Sequence, residues 1–181
     1  MNCPASTRRR SRGATLIDIC VAVGICAVIA GYALPAMTQF RQEQALRASA
    51  EALAGDLRFA RSEAVRTGEP VYFRFSGKGA QGCYVLHTGA RNDCDCAGGR
   101  AVCKVASSGV IKAEWLTSSR LQLRSNAETL EFQDRQGLVT QTGSIDLSLD
   151  KGPGIRLVVA ITGRVRRCYT GAKLSGMTKC T

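Results

Sequence analysis

The chain has 181 residues, with 25 Lys and Arg against 14 Asp and Glu, a formal net charge of +11. About 114 residues follow position 67, room for one modest globular domain and not for several. Residues 1–13 carry four basic residues and no acid, residues 14–150 carry 14 of each sign, and residues 151–181 carry seven basic residues and no acid. That division excludes a generally basic surface and points to a localised field near the C-terminus.

The first element runs from Gly13 to Leu34. Arg8, Arg9, Arg10 and Arg12 precede it, and in residues 14–34 only Thr15 and Asp18 are clearly polar. A helix of that length rises about 30 Å, enough to cross the hydrocarbon of a bilayer. The basic cluster is expected to stay cytoplasmic and send the rest of the chain across. Asp18 is the anomaly, because a carboxylate inside an apolar helix costs about 2.5–3.5 kcal/mol on insertion scales and calls for a partner. No Lys or Arg follows until Arg41, so the nearest available cation is an α-amino group made by cutting after Gly13. An ordinary secretory signal cut near Ala36, or a plain membrane anchor, leaves Asp18 unexplained.

Pro35 should loosen the helix without ending it. Beyond it Leu46, Ala50, Leu53, Leu57, Ala60 and Ala64 form one apolar stripe at steps of three and four. Arg47, Glu51, Asp56, Arg58, Arg61 and Glu63 lie between them as a polar face. Gly68 and Pro70 mark the stop. The division is a leader over 1–13, a membrane half over 14–37, an amphipathic half over 38–67 and a β domain over 68–181.

From Val71 the period becomes two. Strands are expected at 71–75, 83–87, 109–112, 121–124, 128–133, 137–141 and 145–149. Residues 151–154 turn into a partner strand with Ile155, Leu157, Val159 and Ile161 on its inner side. No βαβ spacing occurs, so the fold class is α+β, with an antiparallel sheet packed against the long helix. Residues 88–104 form a surface loop holding Cys94, Cys96 and Cys103. Six of the nine cysteines follow the membrane segment, an even number that suits an oxidising compartment. Cys94 and Cys96 are too close to pair with each other, so each should reach Cys83 or Cys103, and Cys168 and Cys180 should close the C-terminal segment. Zinc held by these cysteines and His87 is the weaker reading, because the spacing matches no ordinary zinc pattern. No metal, cofactor or catalytic set is expected, and the chain does not read as an enzyme.

The remaining feature is Gly163-Arg164-Val165-Arg166-Arg167-Cys168. Inner odd positions would leave Arg156, Arg164 and Arg166 on one outer face, unless Gly163 introduces a bulge. Guanidiniums grouped without local carboxylates suit phosphate. Tyr169 is the one aromatic nearby, so base stacking is not indicated.

The basic leader, Gly13 and Ala14-Thr15-Leu16-Ile17-Asp18 before an apolar run resemble the N-terminus of type IV pilins and pseudopilins. That resemblance implies cleavage after Gly13 by a prepilin peptidase and methylation of the new N-terminus at Ala14. It also implies pairing of Asp18 with the terminal amine of a neighbouring subunit. The chain departs from the pattern in having Ala14 in place of Phe and Asp18 in place of Glu. Residues 54–66, the stretch Tyr84–Gly89 and Gly163-Arg-Val-Arg166 are similar to minor pilins of the FimT/GspH family, its FimT branch above all. The resemblance implies a single-pass inner-membrane subunit with a periplasmic domain. It further implies non-specific binding of double-stranded DNA through Gly163, Arg164 and Arg166, in support of DNA uptake (natural transformation). Arg167 and Arg156 are further candidates from the residues themselves. The alternative is a structural subunit that primes a pilus or a type II secretion pseudopilus without touching DNA.

Overall fold

The computed structural model describes residues 15–77, 79, 81–116, 118, 120–150 and 152–180. Gly13, Ala14, Lys151 and the leader arginines lie outside the described residues. The chain divides into two compact units, residues 1–41 and 42–181. Helix α1, Leu16–Thr67, is continuous in secondary structure through Pro35. In the first unit its apolar side chains are uncovered, from Leu16 at 81 % exposure to Leu34 at 65 %. It is long and apolar enough to cross a membrane.

In the second unit the stripe from Leu46 to Ala64 is buried throughout. The helix ends on Gly68, whose φ of +70° is the left-handed geometry of a C-terminal cap, with its N–H donating to the Ala64 carbonyl at 3.1 Å. Ten strands follow: β1 Val71–Ser76, β2 Cys83–His87, β3 Cys94–Asp95, β4 Val102–Cys103, β5 Val110–Trp115, β6 Leu121–Ser125, β7 Thr129–Phe132, β8 Gly143–Leu149, β9 Gly154–Val159 and β10 Val165–Thr170. They form two four-stranded antiparallel sheets, ordered β5-β2-β1-β7 and β10-β9-β8-β6, and a small ladder of β3 with β4. Leu53 and Leu57 of α1 share one buried cluster with Phe73 and Phe132 of the first sheet and Leu147 and Leu157 of the second. Burying each such side chain contributes about 1.5–3 kcal/mol. The α+β arrangement expected from the change of period is therefore the fold.

Two local expectations fail. Residues 137–141 make no strand: Val139 forms an isolated bridge to Phe132 and donates its N–H to the Ile161 carbonyl at 2.8 Å. Ile161 sits in a turn at 57 % exposure instead of continuing the inner row of β9. In both places Gly137 and Gly163, at φ +61° and +73°, turn the chain where apolar alternation alone would have continued it.

The second face of the first sheet is covered by loop 88–104, which is why every residue of β2 is buried. The loop is held by Cys83–Cys96 and Cys94–Cys103, and Cys168–Cys180 closes the C-terminal segment. The loop cysteines therefore hold no thiolate for a metal. His87 is fully buried under this loop, stacked on Tyr72 with ring centroids 5.4 Å apart, and its Nε2 has no partner among the described residues. Burial pushes its pKa below the ordinary value, against the Thr88 carbonyl and Asp93 and with help from Arg74. The neutral ring is thus the folded form, so stability is whole above the unfolded pKa of about 6.5 and falls as pH drops below it. The melting temperature of wild type should decline more between pH 7.5 and 5 than that of His87→Phe. Parallel declines would remove this account.

Candidate nucleic-acid interface

Strands β9 and β10 pair with Val159 opposite Val165. Between them the Gly163 N–H donates to the Ala160 carbonyl at 2.8 Å and the Ala160 N–H to the Arg164 carbonyl at 3.0 Å. With Gly163 at φ +73° this is a type I turn closed by a left-handed glycine, one of the tight hairpin geometries. The parity expected for a continuous strand survives the turn. Arg156 lies opposite Cys168 and Arg166 opposite Val158, all even positions facing away from Ile155, Leu157 and Val159.

Tertiary structure separates these arginines into two kinds. Arg164 and Arg166 are exposed, and neither side chain makes a hydrogen bond or ion pair among the described residues. Arg156 forks onto Asp146 of β8, Nε to Oδ1 at 2.7 Å and a terminal nitrogen to Oδ2 at 3.0 Å. Arg167, on the inner parity of an edge strand, forms an ion pair with Glu51 of α1. The C-terminal segment has no acid of its own, yet distant carboxylates occupy these two.

A groove of about 1040 Å³ opens beside the turn, lined by Arg58, Arg61, Arg66, Arg135 and Arg164 with Val65 and Val165 among its walls. Arg66 is held by Glu63 at 2.6 and 2.9 Å. Arg58, Arg61 and Arg135 have no such partner among the described residues. Arg61 lies against two glycines: a Cβ on Gly137 would meet its Cγ at 2.7 Å, and one on Gly163 its Cδ at 2.8 Å and the Gly137 carbonyl at 2.6 Å. The helix arginines were legible in the sequence only as a polar face. Nothing local shows that residues 58–66 meet 135 and 164.

At the other end, Asp18 has a local partner that the sequence reading missed. Its Oδ2 accepts the Thr15 N–H at 3.0 Å and hydroxyl at 2.8 Å, while the Asp18 N–H donates to Thr15 Oγ1 at 3.3 Å. This is a reciprocal cap on the first turn of α1. The spacing Thr-x-x-Asp was the available signal.

Comparison with solved structures finds two crystal forms of the Pseudomonas aeruginosa (strain PAO1) type IV minor pilin FimU. One, in space group P21, is 17 % identical over 70 % of this chain and 90 % of that one, with a TM-score of 0.53. The other, in P65, is 17 % identical over 67 % and 91 %, with a TM-score of 0.51. Compared with curated protein sequences, the chain has no match. A helix with an uncovered apolar N-terminal half, continuing into an antiparallel β domain, is the fold that this likeness shows. The family model described as "Type II transport protein GspH" matches residues 49–163, more than half of the sequence, and the chain belongs to that family. The expected membership of the FimT/GspH family is borne out at the level of the family, and the α+β fold with it. The match ends at Gly163, before Arg164 and Arg166.

Proposed function

We propose that the protein is a minor pilin that assembles into a type IV pilus and holds double-stranded DNA by its phosphates, without sequence preference, in support of DNA uptake. The observation that carries the reading is a pair of exposed guanidiniums, Arg164 and Arg166, presented by a hydrogen-bonded turn and the strand after it, with no carboxylate on either. Gly163 supplies the turn, while Arg156 and Arg167, already paired with Asp146 and Glu51, serve as struts for the hairpin. The apolar half of α1 anchors the precursor in the inner membrane with the β domain in the periplasm, where disulfides persist. Prepilin peptidase cuts after Gly13, Ala14 is methylated, and Asp18 exchanges its own Thr15 cap for the terminal amine of a neighbouring subunit. Protein from cells with the peptidase should begin at Ala14 by mass spectrometry; an N-terminus at Ala36 or Met37 would mean ordinary secretion.

The DNA arm is tested with the full chain in a non-ionic detergent and a labelled duplex. Wild type should bind with Kd about 10⁻⁴–10⁻⁶ M at physiological salt. Each lost phosphate contact lowers the salt slope by about 0.9, or about eightfold in affinity at 0.1 M salt, so Arg164→Gln with Arg166→Gln should bind about sixtyfold more weakly. A wild type that ignores DNA, or a double variant that binds equally well, sinks the DNA role. The second reading, a subunit that primes a pilus or type II secretion pseudopilus, then takes its place. It is favoured by the family match stopping short of both arginines.

A further inference from the structure

The groove beside the turn extends the same chemistry onto the helix. No carboxylate lines it, and four of its five arginines, Arg58, Arg61, Arg135 and Arg164, are unpaired among the described residues. Four cations gathered without counter-charge repel one another, so an anion with several separated charges is the ligand that relieves the arrangement. At about 1040 Å³ the groove is too long and open for one small anion. Arg58 and Arg61 stand three residues apart on α1, neighbours on one helix face with Cβ atoms about 5–6 Å apart. Arg135 and Arg164 enter from the β7–β8 connection and the β9–β10 turn. No aromatic side chain lines the groove, so it offers no platform for unstacked bases, and the chemistry selects a duplex backbone over a single strand. Gly163 ties the two halves together. Its missing side chain both closes the turn that presents Arg164 and admits the stem of Arg61, which rests against Gly137 and Gly163. An Arg held by packing loses less freedom on binding than one on a loose surface.

We propose that Arg58, Arg61 and Arg135 continue the phosphate-binding surface begun by Arg164, so that one strand of a DNA duplex is held along the groove between α1 and the β9–β10 turn. This rests on the DNA reading above and enlarges its footprint from two guanidiniums to five. Arg66 is excluded because Glu63 already holds it.

The two footprints differ in a measurable number. Two contacts give a slope of log K against log salt near −1.8, and five give one near −4.5. With the full chain in non-ionic detergent and a labelled duplex, wild type should show the steeper slope. Arg58→Gln with Arg135→Gln, both exposed and free of partners among the described residues, should lower the slope by about 1.8 and the affinity at 0.1 M salt about sixtyfold. Arg100→Gln with Lys104→Gln removes the same charge from the disulfide loop on the other sheet and should change affinity less than threefold. Circular dichroism melts of both variants should match wild type. A groove variant that binds like the loop variant, or a wild-type slope near −1.8, overturns this footprint and leaves the two-arginine reading standing. A wild type that does not bind removes both.

Discussion

Gly163→Val should destabilise the β domain by about 3 kcal/mol and, with it, remove the DNA binding proposed above. Two costs add at this position. A side chain at φ +73° costs about 1–2 kcal/mol, and a β-branched one is especially strained there. The new Cβ would also stand 2.6 Å from the Gly137 carbonyl and 2.8 Å from Arg61 Cδ, an overpacking of the kind that costs about 1–3 kcal/mol. Gly176 separates the two, since its φ is +77° and a Cβ there meets nothing within 4 Å. Gly176→Val should therefore show the backbone strain alone. Chemical denaturation of the full chain in non-ionic detergent, followed by circular dichroism and Trp115 fluorescence, measures the difference. Equal costs at the two glycines would mean that the close approach of Arg61 and Gly137 is not a constraint.

Asp56→Ala should cost about 2–3 kcal/mol, more than its place on a helix suggests. Asp56 is 8 % exposed and accepts the Tyr84 hydroxyl at 2.7 Å in a buried contact. Lys112 also donates to it, at 2.8 and 3.0 Å. The lysine side chain is 38 % exposed, so solvent screens that pair and its loss contributes little. The larger part is the Tyr84 hydroxyl left buried without an acceptor, about 1–3 kcal/mol. Burial first, and then the same carboxylate, raise the Tyr84 pKa, so the phenol stays a donor across the physiological range. Tyr84→Phe in the Asp56→Ala background should recover part of the loss, because it removes the orphaned group. Strictly additive costs in this cycle would show that the contact carries no coupling.

Asp56 also shows what can be seen from a sequence. It falls between the positions of an apolar stripe and was read as part of a polar face, yet β2 and β5 bring Tyr84 and Lys112 to it from 28 and 56 residues away. The same holds for Arg156 and Arg167, which look unpaired in a segment without acids until Asp146 and Glu51 arrive from other elements. Arg58, Arg61 and Arg135 are the mirror case, being ordinary surface charges in the sequence that gather around one groove in the fold.

The sequence by itself determined what depends on neighbours along the chain. The apolar run, the 3.6-residue stripe from Leu46 to Ala64, the stop at Gly68 and the alternation in β1, β6, β8 and β9 are properties of a few turns or residues, and they appear as expected. The parity of Arg164 and Arg166 belongs with them, because a tight turn preserved the alternation on either side. Only the tertiary structure decided which charges meet carboxylates, which stay unpaired, and where Gly137 and Gly163 let Arg61 pass. Those outcomes depend on distances between residues tens of positions apart, and local periodicity holds no information about such distances.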